Sequence, residues 1–207
     1  MSDSVAYAPG GPFEREVRLL GDVKGKRVLE LGCGTGANAV ALAQQGAVVI
    51  GIDTSDARLA AARERGDAAE VRVDWHHGDL ADLAFLRADS IDLVVSISTL
   101  SEVDDIARVF RQVERVLKPN APFVCSYDHP MALCIDANGT LTRSPFDRGP
   151  VEVDHDGGSA LVYVRTLADV FTDLHRAGLR VDTLLEPRTS GARIPSTVVW
   201  RARTDGA

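Results

Sequence analysis

Val28-Leu29-Glu30-Leu31-Gly32-Cys33-Gly34-Thr35-Gly36, followed by a helical stretch, a second apolar run and then Asp53, decides how this chain folds. The first four residues read as a buried strand. Glycines at alternate positions permit the positive-φ geometry of a tight strand-to-helix turn and take away side chains that would hold a ligand off the backbone. Something flat and adenosine-like can lie against such a turn. Asp53 closes the next strand about 20 residues on, where a carboxylate can accept both hydroxyls of a ribose. The acid turns a glycine loop into a candidate nucleoside site.

Two cofactor classes use this layout. Gly32-x-Gly34-x-x-Ala37 satisfies the loose dinucleotide pattern, so an NAD(P)-binding oxidoreductase remains open on the glycines alone. Glu30 favours the other class. A carboxylate in an apolar strand is costly unless it is bonded, and beside a pyrophosphate it would repel the ligand. A cationic ligand suits it better. Glu30-x-Gly32-x-Gly34-x-Gly36 resembles the glycine-loop motif of the class I S-adenosylmethionine (SAM)-dependent methyltransferases, whose cofactor carries a sulfonium and an ammonium and no phosphate.

The resemblance extends over roughly residues 20–128, and it looks like the ubiquinone/menaquinone-biosynthesis-like, small-molecule branch. His76-His77-Gly78-Asp79-Leu80 follows a third apolar run, and Ser90-Ile91-Asp92-Leu93-Val94-Val95-Ser96 makes a fourth. Val116-Leu117-Lys118-Pro119-Asn120 then closes a helix and leads into a fifth strand, Ala121 to Tyr127. Asn120 stands where that family usually has glycine, and Asn tolerates the left-handed conformation better than most residues.

Strands and helices alternate through most of the chain, which predicts an α/β, doubly wound, mostly parallel seven-stranded sheet. Helices are expected over Ala37 to Gln45, from the cap Thr54-Ser55-Asp56 to Gly66, over Ile106 to Leu117, and over Thr166 to Arg176. The loop between strands Leu179 to Leu185 and Ser196 to Arg201 is too short for a crossover helix. These strands should therefore form an antiparallel hairpin, giving an antiparallel last strand. Residues 129–165 break the alternation. Asn138-Gly139 and Asp156-Gly157 are hairpin-turn dipeptides flanked by short alternating runs, Leu133-x-Ile135 and Leu141 for the first, Val151-x-Val153 and Leu161-x-Tyr163 for the second. Ligands of open α/β sheets bind beyond the carboxyl ends of the strands, so two hairpins placed there are expected to roof a substrate pocket. The organisation expected is one methyltransferase domain over 1–207, a cofactor-binding core at 20–128 and a substrate lid at 129–165.

A length of 207 residues suits one full hydrophobic core, and a net charge of −7 argues against a nucleic-acid partner. Arg108, Arg111, Arg115 and Lys118 share one helix side, which reads as a solvated face beside Glu114. No signal peptide or membrane-length apolar run is present, and the three cysteines (Cys33, Cys125, Cys134) lack metal spacing. The expectation is a cytoplasmic protein, monomer or homodimer, without a membrane or metal.

The resemblance implies site roles by position. Gly32, Gly34 and Gly36 would line the methionine and ribose portion of SAM, with Glu30 supporting the loop and the positive end. Asp53 would bind the ribose, and Thr54 would sit beside the adenine. In Gly78-Asp79-Leu80, Asp79 would accept from the adenine amino group and Leu80 would pack on the ring. Ser96 and Ile97 would pass close to the methionine and sulfonium. Methyl transfer to an O, N or C nucleophile is a direct displacement, so alignment matters most and a base is needed only where the nucleophile must lose a proton. His129 and Glu102 are the catalytic candidates, with Tyr127 and Asp128 beside them. Adjacent His76 and His77 point to opposite faces of a strand, which excludes them as a metal pair. A SAM-binding protein without catalytic activity fits the same residues.

Overall fold

Alternating apolar runs and turns fold into nine strands and six α-helices in a computed structural model that describes residues 4–8, 11–136, 138–147, 149–155, 158–188 and 191–205. Strands β1 (Arg27–Leu31), β2 (Val48–Asp53), β3 (Val73–His77), β4 (Leu93–Ile97) and β5 (Pro122–Asp128) are joined with β8 (Leu179–Leu185) and β9 (Thr197–Thr204) in one sheet. Its order is β3-β2-β1-β4-β5-β9-β8. Strands β1 to β5 run parallel, and β9 is antiparallel to β5 and to β8, the latter as the short loop between them requires.

Helices cover both faces of the sheet, each burying apolar residues. Helices α2 (Ala37–Gln44) and α3 (Asp56–Ala68) pack beside β1 to β3, with Val28, Val49, Val95 and Val124 among the buried residues on that side. On the other face, α4 (Ile106–Val116) buries Ile106, Val109, Phe110, Val113 and Val116, and α6 (Leu167–Arg176) buries Val170 and Leu174. Asp105 caps α4 by accepting the Arg108 N–H, and Thr166 with Asp169 forms a capping box on α6. Asn120 is left-handed, with φ 61°, as its place in the turn before β5 demands.

Several expectations need correction. Helix α3 runs past Gly66 to Ala68, with Gly66 inside it and close to the Trp75 indole. The fourth strand begins at Leu93 rather than Ser90, and Ile91 makes only an isolated bridge to Leu117. The last strand continues to Thr204. Leu133 lies in a short helix, α5 (Pro130–Cys134), instead of a hairpin arm, since Pro130 at its first turn is pre-set for helix. The Asn138-Gly139 turn is organised by Asp136, whose Oδ1 accepts the N–H groups of Asn138 and Thr140 at 2.9 Å each. Its flanks meet only in one bridge, Ile135 to Leu141. The second hairpin forms a separate two-stranded sheet of β6 (Pro150–His155) and β7 (Gly158–Tyr163), and its Asp156-Gly157 turn lies outside the described residues. Among the described residues, no helix is long and apolar enough to cross a membrane.

Candidate functional site

The three glycines of the loop serve three different purposes. A Cβ on Gly32 (φ +67°) would lie 2.1 Å from Thr99 Cγ2, so its empty side is filled by the loop after β4. A Cβ on Gly36 (φ +77°) would lie 2.7 Å from Trp75 Cη2 and 3.0 Å from the Ala62 Cβ, so this glycine lets α3 and β3 close on the turn. Gly34 (φ +53°) has nothing within 4 Å. Of the three, it alone leaves the loop backbone bare toward open space. The bulky Trp75 also accounts for Gly51, where a Cβ would meet the indole at 2.8 Å.

Asp53 is buried at the carboxyl end of β2 and holds this loop directly. Its Oδ2 accepts the Gly34 N–H at 2.8 Å and its Oδ1 accepts the Ser55 N–H at 2.9 Å. Each carboxylate oxygen keeps lone-pair capacity for a further donor. The Gly78 N–H donates to the Asp53 carbonyl at 3.1 Å, which brings Gly78-Asp79-Leu80 alongside. Asp79 is exposed and accepts the Ala81 N–H at 2.8 Å, while Leu80 is buried beneath it. Thr54 is exposed, with its carbonyl 3.0 Å from His77 Nε2. His76 turns elsewhere, stacking on Phe85 and pairing with Asp74. No cluster of His, Cys, Asp or Glu able to hold a metal occurs among the described residues.

On the β4 side, Ser96 is fully buried and donates to the Leu31 carbonyl at 3.1 Å, tying β4 to β1. Ile97 is half-buried at the strand's end, and the next residue, Ser98, has φ 54°. Thr99 then folds back, its hydroxyl donating to Gly32 and Ile97 carbonyls at 3.2 and 3.0 Å. Gly32, Gly34, Gly36, Asp53, Gly78, Ser96 and Ile97 thus converge at the carboxyl ends of β1, β2 and β4.

Glu30 shares a face of the sheet with Asp53, because it stands in register with Gly51 two residues earlier on β2. It is 2 % exposed. The Asn38 side chain and the Ala39 N–H, both from the first turn of α2, bond its carboxyl, and Oε2 has no hydrogen-bond partner. Desolvation raises its pKa to about 8, against those two hydrogen bonds, with a smaller push from Asp53. The neighbouring Cys33 thiol is likewise pushed up by burial. An orphaned acid oxygen and the open side of Gly34 are what a site for a cationic nucleoside requires.

The N-terminal segment is pinned beside these strand ends. The Ala6 N–H donates to Asn38 Oδ1 at 3.1 Å, and the buried Ser126 hydroxyl donates to the Tyr7 carbonyl at 2.6 Å. Tyr7 is wholly buried, with its hydroxyl on Glu14, and that carboxylate also accepts the Leu19 and Leu20 N–H groups. Asn38 had one legible signal, a polar residue in the first turn of an otherwise apolar helix. Glu14 and Ser126 had none.

Beyond the carboxyl end of β5, His129 is 3 % exposed and caps α5. Its Nδ1 accepts the Met131 N–H at 3.1 Å, which puts the ring proton on Nε2, 2.9 Å from Glu186 Oε1. Both nitrogens are therefore engaged. Glu102 is exposed on the 3-10 turn Leu100–Glu102. Tyr127 is buried and accepts from Trp200 Nε1 at 2.9 Å, with desolvation holding its pKa well above the usual phenol value. The Asp128 N–H donates to Ser101. Next to these residues, a cleft of about 700 Å³ opens between the start of α4, α6 and the base of the β6–β7 hairpin, lined by Asp104, Asp105, Tyr163, Arg165 and Asp173 among others. Arg165 ties hairpin to core by donating to the Val103 and Asp104 carbonyls.

A doubly wound sheet whose last strand inserts antiparallel, with a glycine turn after β1 and an acid closing β2, defines a nucleoside-binding fold of the methyltransferase type. Residues 29–125 match the family model described as a methyltransferase domain. Over that stretch the chain is similar to the SAM-dependent methyltransferases. A ubiquinone biosynthesis O-methyltransferase of Hahella chejuensis is 41% identical over 97 residues, 47% of this chain and 41% of that one. The chain thus spans about two fifths of that relative's length. A SAM-dependent methyltransferase from Mesorhizobium loti is 28% identical with a TM-score of 0.79, over 90% of this chain and 94% of the other. A SAM-dependent methyltransferase from Methanosarcina mazei shares the fold at 17% identity, with a TM-score of 0.73 over 98% of this chain and 100% of the other.

Proposed function

We propose that this protein transfers a methyl group from SAM to a small-molecule acceptor. The observation that carries this reading is the pairing of Asp53, buried and bonded to the Gly34 N–H, with the orphaned Glu30 oxygen under the same loop. Gly32, Gly34, Gly36 and Asp53 would hold the sugar and amino-acid portions, Glu30 the positive end, and Thr54 with Gly78, Asp79 and Leu80 the base. Ser96 and Ile97 would border the methionine. When bound, SAM supplies an activated methyl group on a sulfonium.

The chain's own contribution is alignment, and near-attack positioning is worth several kcal/mol of the barrier. Kinship with O-methyltransferases favours an oxygen nucleophile. The β6–β7 hairpin would act as a lid, with the cleft at its base admitting the acceptor. His129 and Glu102 are the groups to test for proton removal. For His129 that role requires release of the Met131 N–H or a change of tautomer. An acidic chain whose cysteines are buried and unpaired suits the reducing cytoplasm, where it would act as a monomer or homodimer.

Calorimetric titration with S-adenosylhomocysteine (SAH), and separately with NAD, tests the cofactor assignment without an acceptor. Micromolar binding of SAH alone is the expected result. Binding of NAD alone would overturn it.

A further inference from the structure

Glu30 is the most confined acid of the site, and every element around it withholds a counter-charge. From β1 itself come only apolar neighbours, and the glycine loop contributes the neutral Cys33 thiol. Strand β2 contributes Asp53, which repels a second negative charge. Helix α2 offers two neutral donors, Asn38 and the Ala39 N–H. Strand β4 brings Val95 beside it in register. The N-terminal segment engages Asn38 through the Ala6 N–H and turns the Tyr7 hydroxyl away to Glu14. No Lys, Arg or His is among these groups, and Oε2 is left without a donor.

A carboxylate so placed is buried from bulk solvent and faces no cationic side chain, which is the condition under which an acid keeps its proton. A cation brought within about 4–6 Å reverses the balance, because an opposite charge at that range favours the ionised form. SAH and SAM both carry an ammonium on their amino-acid end.

We propose that Glu30 holds a proton while the cofactor site is empty and releases it to solvent when the cationic end of the cofactor binds. This rests on the cofactor reading above. Binding of the cofactor and ionisation of one buried acid are then a single coupled event. No covalent bond changes except the O–H of the carboxyl, whose proton passes to buffer. Ligands with the same adenosine but no ammonium leave the acid protonated and bind without proton release.

The test is SAH calorimetry on the whole chain in two buffers of different ionisation enthalpy at one pH, which gives the protons exchanged per ligand. With the acid titrating near about 8, release of about 0.9 proton is expected at pH 7, falling to about 0.1 at pH 9. Glu30→Gln should bind SAH with no such release at either pH. Subtracting its values also removes any contribution from the ligand's own amino group. A companion measurement needs no variant: the infrared C=O stretch of a buried protonated carboxyl should be present in the empty protein at pH 7 and vanish on adding SAH. Binding of SAH without proton release, or equal release by Glu30→Gln, overturns the proposal and leaves the cofactor reading standing. Absence of SAH binding overturns both.

Discussion

Alanine at Gly32, Gly34 and Gly36 in turn should separate folding from binding within one loop. All three glycines have positive φ, so each alanine carries the left-handed penalty of about 1–2 kcal/mol. At Gly32 the new methyl also meets Thr99 at 2.1 Å, and at Gly36 it meets Trp75 at 2.7 Å. Overpacking adds about 1–3 kcal/mol, giving about 2–5 kcal/mol at each of these positions. That is a large fraction of the roughly 5–15 kcal/mol that holds a domain folded. Gly34→Ala has no clash, so it should lose only about 1–2 kcal/mol. Its methyl nevertheless projects into the open side of the loop, where SAH is expected. Urea unfolding followed by tryptophan fluorescence gives the stabilities, and calorimetry gives the SAH affinities. Gly34→Ala should show the smallest loss of stability and a loss of affinity of tenfold or more. Thr99→Gly should restore part of what Gly32→Ala loses, leaving the left-handed penalty. A Gly34 variant that binds SAH normally, or a Gly32 variant as stable as the parent, would refute this division of labour.

Asp53→Ala removes a buried acceptor from the Gly34 and Ser55 N–H groups and should weaken SAH binding by more than tenfold in the same titration; unchanged affinity would end the ribose assignment. For Glu30 the folded pKa, about 8, lies above the ordinary glutamate value of 4.5, so the empty native state binds more protons than the unfolded chain between those values. Stability is thus lost as pH rises from 4.5 through 8, by at most roughly 5 kcal/mol at about 1.4 kcal/mol per unit. Urea titrations at pH 6 and pH 9 should show Glu30→Gln losing less across the interval than the parent, and parallel losses would contradict the burial argument. His129→Ala should cut acceptor turnover while leaving SAH affinity intact, and should cost about 1 kcal/mol of stability through the lost α5 cap. An unchanged rate in a methyl-transfer assay would confine His129 to its capping role.

The glycine turn, the acid closing β2 and the order of strands were legible because they rest on local periodicity and spacing. So was the antiparallel β9, since eleven residues between Leu185 and Thr197 leave no room for a crossover helix. What escaped depends on partners distant in sequence. Nothing near Gly32 announces Thr99, sixty-seven residues on, whose hydroxyl folds back onto the Gly32 carbonyl. His129 was legible as a catalytic candidate after the fifth strand, but its partner Glu186, fifty-seven residues away, which accepts from its Nε2, was not. The Asn138-Gly139 pair promised a tight hairpin, but the Asp136 carboxylate drew the neighbouring amides into a wider turn and Pro130 started a helix where an arm was expected.

Trp75 has taken up space that would otherwise belong to side chains at positions 36 and 51, and it borders position 66 as well. Inheritance should therefore treat these positions as a linked set. A lineage that trades the indole for a small residue opens a void, and alanine can then enter at 51 to fill it, whereas at 36 the positive φ and Ala62 still oppose a side chain. Until that trade occurs, neither glycine is free to drift, whatever the cofactor demands. In an alignment of descendants, bulk at 75 and smallness at 51 should come and go together, a signature of packing that would otherwise be mistaken for selection on the ligand.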